Sequence, residues 1–385
     1  MAGQYSHKQF FRKVPNTQLA DYFESKKVDI ELDFKELKES DVDAIFTAFN
    51  KLAEDQQGAI EADFQDINAL ACDAGIQALN DEAEFHLDES FGGELANIDG
   101  LHSKTMWVFL NKKEYWRGAS MFLRADKVSY SYWKKRNDLP NAEPHVDDAD
   151  IELLANGISA YFSKTEGRGK NCKVEPYRRH NKEYFFAYPE DYAQSGVEWV
   201  SDKLQTRARH PAFEIIFVYS EEEGSLDIFA PRNTKAVKEL QKLFATTILK
   251  LPTLKDGTID KRTYDLKPVT DKHFEFTTTP DMGIDSVSIT RLRLKLKQGT
   301  GLRRITLDAN NTDNPQAVFD LLGELNVPDY IVDQIGVLVV FESVGNKAGQ
   351  KQRFNVSYPN SCALSHDGND LKIRKMLASS GLEPS

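Results

Sequence analysis

Residues 289–308 read ITRLRLKLKQGTGLRRITLD, and the reading of this stretch decides the fold class. Leu292, Leu294 and Leu296 take the even positions of its first half, and Arg291, Arg293, Lys295 and Lys297 the odd ones. A period of two belongs to a half-buried β-strand: the leucines face a core, and four cations share the other face about 6.6–6.8 Å apart. Gly299, Thr300 and Gly301 supply a tight turn, and residues 304–308 return as a second strand. With Ile305 and Leu307 inward, Arg304 joins the cationic face.

Downstream the same plan recurs. Asn314 and Pro315 pair a cap with a proline suited to a first helical turn, ahead of a helix over residues 316–325. Residues 336–342 are a nearly continuous apolar strand, 345–349 a turn, 353–358 the return strand and 370–379 a second helix. The expectation for residues 281–385 is a ββα unit used twice, forming one sheet with its helices on one face.

Upstream, residues 253–280 are polar and aperiodic and read as a linker. Residues 148–252 open with a helix at 148–162. Antiparallel strands follow at 172–177, 183–188, 213–219 and 226–229, and a helix at 236–249 closes the region. No proline lies between Pro15 and Pro140, which permits uninterrupted helices. Val42, Ile45, Phe46, Phe49 and Leu52, and then Ile60, Phe64, Ile67 and Leu70, recur at helical spacing. Shorter helices are expected near residues 16–23, 106–110 and 114–125. The chain is thus read as a multidomain α+β protein. It comprises an acidic, mostly helical domain at 1–140, a central antiparallel α+β domain at 148–252 and a C-terminal ββα-ββα domain at 281–385.

Its charge is uneven. The 385 residues carry a net −11, yet the first hundred hold 8 Lys/Arg against 22 Asp/Glu and the rest 41 against 38. An acidic helical region of this kind suits docking to a basic protein partner, through residues 1–100. No apolar run reaches the roughly 18–20 residues of a membrane span, and residues 1–15 hold no apolar leader segment, so a cytoplasmic protein without a membrane partner is expected. Cys72, Cys172 and Cys362 lie far apart with no CxxC pair, which argues against a zinc knuckle or a disulfide framework.

Chemistry-bearing motifs are sparse. Gly167-Arg168-Gly169-Lys170 has Lys164 where a phosphate loop needs glycine and Asn171 where it needs Ser or Thr, so it reads as a basic connector. His145, Asp147, Asp148, Asp150 and Glu152 sit where carboxylates cap a helix. Residues 308–313 resemble a calcium loop without its central glycine or its final glutamate. The cations around Cys172 would favour its thiolate, with His180 as a base across the hairpin, and Cys362 has His366 and Asp367 nearby. Neither cysteine matches a nucleophile signature. No catalytic residue, cofactor or metal is assigned, and the reading leans away from an enzyme.

What remains is basic β surface. The first patch is Arg291, Arg293, Lys295, Lys297 and Arg304. A second comprises Lys170, Lys173, Arg178, Arg179 and Lys182 with Arg168, interleaved with Tyr177 and Tyr184; a third is Trp133-Lys134-Lys135-Arg136. Cations repeating at phosphate-like spacing beside aromatic rings suit a nucleic-acid backbone. Intervening carboxylates or protection of an edge strand would explain them equally. The resulting expectation is a non-enzymatic adaptor that contacts nucleic acid through these faces and a protein through the acidic region. The alternatives are a purely protein-binding scaffold, or an enzyme whose site converges only in three dimensions.

Overall fold

A computed structural model describes residues 5–128, 133–200, 203–254, 264–299, 301–310, 314–343, 349–364 and 368–383. The chain divides into two compact units after Lys127.

The first unit is helical. Among the described residues it contains α1 (His7–Phe11), α2 (Asn16–Lys26), α3 (Val42–Phe49), α4 (Glu54–Leu70), α5 (Asp73–Phe85), α6 (Phe91–Ala96), α7 (Leu101–Asn111) and α8 (Lys113–Lys127). The periodic residues do what their spacing dictates: Val42, Ile45 and Phe49 from α3 and Ile60, Phe64 and Ile67 from α4 enter one core with Tyr22 and Phe10. Phe64 stacks on Phe10 at 4.5 Å and lies 4.8 Å from Tyr22. Aromatic pairs at these separations add about 0.5–1.5 kcal/mol each beyond area burial. Asn16 is the first residue of α2 and buried, donating from Nδ2 to the Leu37 carbonyl at 3.1 Å while Glu39 accepts its backbone N–H.

The second unit holds two five-stranded antiparallel sheets. The central sheet has the order β1-β7-β6-β3-β2, from β1 (Trp133–Arg136), β2 (Cys172–Arg179), β3 (Lys182–Pro189), β6 (Ile215–Ser220) and β7 (Ser225–Phe229). One face is covered by α9 (Asp148–Glu166) and α10 (Val237–Thr247). Phe244 of α10 meets Phe185, Phe217 and Tyr219 at 5.2–5.7 Å. The excursion between β3 and β6 forms a separate two-stranded ribbon, β4 (Gln194–Val200) with β5 (Lys203–Arg209), which the sequence analysis does not anticipate.

The C-terminal sheet has the order β12-β11-β10-β8-β9. It is built from β8 (Ile284–Leu296), β9 (Arg304–Asp308), β10 (Tyr330–Phe341), β11 (Lys351–Ser357) and the short β12 (Ser361–Cys362). With α11 (Ala317–Glu324) after β9 and α12 (Gly368–Ser379) after β12, the order is ββα and then ββα with the two-residue strand β12 added before its helix. Val318 and Phe319 of α11 and Ile373, Met376 and Leu377 of α12 join the leucines of β8 in one core. The fold class read from the sequence is therefore the one observed. Both long strands begin five or six residues earlier than expected.

Two assignments need correction. Within the stretch read as a linker, Tyr264, Leu266 and Val269 are fully buried in the C-terminal core. Residues 133–136, read as a surface patch, are the edge strand β1 of the central sheet, with Trp133, Lys135 and Arg136 buried. Lys135 pairs with Glu383 at 2.5 Å and Glu223 at 3.1 Å, and its backbone N–H donates to Asn360 at 3.0 Å. These contacts bind the central sheet to the C-terminal region, and Arg374 extends them to Glu383 and to the Tyr264 hydroxyl at 3.2 Å each.

Candidate functional site

The cationic strand is placed as its alternation requires. Leu292 and Leu294 are buried, while Arg291, Arg293 and Lys295 point to the face of the C-terminal sheet that carries no helix. Arg304 stands directly across from Lys295 on β9. On β11, Phe354 and Val356 turn inward, which puts Lys351, Arg353 and Asn355 on the same outer face.

Three of the arginines are not free. Arg291 pairs with Asp308 of β9 at 2.6 Å. Arg293 and Arg304 both hold Asp333, each at 2.7 Å, one on each carboxylate oxygen. A bulge creates this arrangement: Val332 pairs with Leu294 and Gln334 with Arg293, so Asp333 is the extra residue of β10 and turns toward the cations. Asp333 is only 3% exposed. A lone carboxylate inside an apolar strand has to find a charged partner, and that was the signal in the sequence that could have located it. Lys295 and Lys297 are exposed and have no carboxylate partner among the described residues.

Over the same face runs a groove of about 510 Å³, floored by Gly336 and walled by Arg291 on one side and Arg353 and Asn355 on the other. A Cβ at position 336 would lie 2.8 Å from the Arg291 Cβ and 3.1 Å from the Asn355 Oδ1, so glycine keeps the groove open. Among the described residues of the strands, six outward cations (Arg291, Arg293, Lys295, Arg304, Lys351 and Arg353) face two carboxylates, Asp308 and Asp333. The face stays cationic after internal pairing.

The second patch does not form such a surface. Arg179 and Lys182 are 1% and 4% exposed, with Lys182 held by Glu223 at 2.8 Å. Burial removes both from any surface contact, and Glu223 joins Lys182 to Lys135. Arg178 pairs with Glu183 at 3.4 Å and Lys173 with Glu175 at 2.8 Å. Both lie on β2, at the edge of the sheet, where charge discourages edge-to-edge pairing. Lys170 is exposed at the start of this region. The structure thus does not bring the five residues together.

The remaining motifs are structural. Gly167 caps α9 in the left-handed region at φ 69°, and Arg168 lies 4.0 Å from the Phe213 ring while pairing with Glu166 and Asp191 at 2.7 and 2.8 Å. That guanidinium is spent on packing. Asp147 accepts the Asp150 backbone N–H at 2.9 Å as the cap of α9, and Asp150 pairs with Lys250. Cys172 carries no thiolate character: burial pushes its thiol up to about 12, and His180 stands at the opposite end of β2. Cys362 is buried and pushed up to about 11, again by burial first. His366, Asp367 and residues 311–313 lie outside the described residues. No group of three or more metal-ligating side chains occurs among the described residues, and none of the described helices is long and apolar enough to cross a membrane.

No family model matches the chain, and no curated protein matches it in sequence.

Proposed function

We propose that this chain is a non-enzymatic, cytoplasmic adaptor that holds the phosphate backbone of nucleic acid on the outer face of its C-terminal sheet. The observation that carries the reading is the groove over Gly336, flanked by Arg291 and Arg353, on a face whose six cations outnumber its two carboxylates. A net excess of four charges at strand spacing matches a polyanion with repeating charge, and the released counterions favour binding. The acidic helical unit is the protein-binding half of the adaptor. Beside α3 it has an open groove of about 660 Å³, where Asp29, Glu31 and Asp43 outnumber Lys51 around Ile30, Leu32 and Leu52, with Asp43 paired to Lys8. Apolar walls with an acidic rim suit a basic peptide segment.

The test is fluorescence anisotropy with a labelled single-stranded dodecamer. Lys295→Gln with Arg353→Gln removes two exposed cations and leaves the core and the Asp333 pairs intact. Binding should weaken to a similar extent for oligonucleotides of different sequence, because backbone contacts carry little base information. Unchanged affinity in this double variant would sink the proposal.

A further inference from the structure

The free lysines of the cationic ladder lead to a second cavity. Lys297, just beyond the end of β8, lines a hollow of about 360 Å³ together with Lys267, Tyr330 and Tyr358. Leu266, Ile331 and Val332 supply the apolar remainder. Its volume lies in the range of small-molecule sites, about 300–1,000 Å³.

The surroundings are ordered by the same residues that order the ladder. The Lys297 backbone N–H donates to the Asp329 carbonyl at 2.8 Å, and the Tyr358 backbone N–H to the Asp333 carbonyl at 3.0 Å. Asp333 therefore fixes Arg293 and Arg304 through its side chain and Tyr358 through its backbone. Asp265, the acidic residue of the rim, has one carboxylate oxygen engaged by the Lys267 backbone N–H at 2.9 Å. Neither Lys267 nor Lys297 has an ion-pair partner among the described residues. In contrast to Arg291, Arg293 and Arg304, both lysines are exposed and unpaired.

Two tyrosine rings, an apolar wall and two unpaired ammonium groups call for a flat aromatic ligand that carries negative charge. We propose that the cavity receives one unstacked nucleobase of a bound single strand, with its phosphate at Lys267 and Lys297. The proposal rests on the backbone-binding reading above and deepens it. Lys297 belongs to both features, as the last cation of the ladder and as part of the cavity lining. Stacking on an aromatic side chain contributes about 1–3 kcal/mol per base, without a requirement for one particular base. A free mononucleotide offers the same chemistry, and the experiment separates the two sources.

The full-length protein is titrated with three probes: oligothymidylate of twelve residues, a dodecamer of abasic sugar-phosphate, and thymidine monophosphate. The wild type should bind the thymidylate dodecamer roughly tenfold more tightly than the abasic one, a ratio worth about 1.4 kcal/mol. Tyr358→Ala should abolish that ratio and leave abasic binding and its salt dependence unchanged. Lys267→Gln, at an exposed side chain that cannot disturb the core, should weaken thymidylate binding severalfold. A dodecamer carrying 2-aminopurine should lose emission on binding the wild type and keep it with Tyr358→Ala. Millimolar monophosphate should compete only weakly if the occupant is part of a strand; competition at micromolar concentration would assign the cavity to free nucleotides and overturn the strand reading. Equal affinity for thymidylate and abasic dodecamers would overturn the cavity proposal while leaving backbone binding in place. Failure of every probe to bind would remove both.

Discussion

Asp333→Asn tests the electrostatics of the outer face in two opposed directions. The substitution keeps the shape of the bulged residue but removes the charge that Arg293 and Arg304 share at 2.7 Å each. Breaking a fully buried ion pair costs about 3–5 kcal/mol. Here Arg304 and Arg293 keep 42% and 25% of their side-chain surface exposed, so water takes back part of the guanidinium charge. A loss of about 2 kcal/mol is the expected result once that screening is allowed for. The same change frees two cations for a ligand. The excess of cations on the face rises from four to five, so the slope of log affinity against log salt for a single-stranded dodecamer should steepen by about 0.7, and affinity at low salt should rise. Urea denaturation followed by circular dichroism reads the first effect, and anisotropy across a salt series reads the second. Lower stability with an unchanged slope would leave the Asp333 pairing correct and refute the binding face. No change in either would refute the placement of Asp333.

Two more outcomes follow from buried groups. Burial, with a smaller contribution from the charge of Lys13, lowers the imidazole of His102 from its usual 6.5 to about 4, and its Nε2 lies 3.0 Å from Asn68 Oδ1. A lowered folded-state value means the unfolded chain takes up the proton first, so this contribution to stability is complete above about 6.5 and is lost as the pH falls toward about 4. A His102→Gln variant should flatten the pH dependence of the helical unit in that interval, and an unchanged profile would count against the assignment. Iodoacetamide at pH 7.5 should leave Cys172 unmodified in the folded protein, since its thiol is pushed up to about 12. Rapid alkylation of the half-buried Cys172 detected by mass spectrometry would contradict the raised value of its thiol.

How far the sequence reached is clearest at β8. Alternation alone placed Leu292 and Leu294 inward and the cations outward, because the period of a strand is a local property. The partners of those cations were out of reach: Asp333 lies 40 residues from Arg293. Strand β1 was missed for a related reason. Trp133-Lys134-Lys135-Arg136 has the composition of a solvated loop, and Lys135 is buried only because Glu383, 248 residues away, compensates it. Helix α5 escaped notice because Gly75, Ala78 and Ala83 share its buried positions, and small residues give a weak stripe. The ribbon of β4 and β5 has Val197, Trp199 and Leu204 exposed, so no core imposes a pattern on it. The cavity at Lys297 assembles residues from four separate stretches, 265–270, 297, 330–332 and 358, and no local motif could announce it.

The most direct test of the central claim is the salt dependence of wild-type binding to a single-stranded dodecamer of mixed sequence. Four excess cations on the outer face predict a slope of log affinity against log salt near −3, at about −0.7 per neutralised phosphate, and little change when the base sequence is permuted. A slope near zero, or no binding at 50 mM salt, would contradict the assignment of this face to a phosphate backbone.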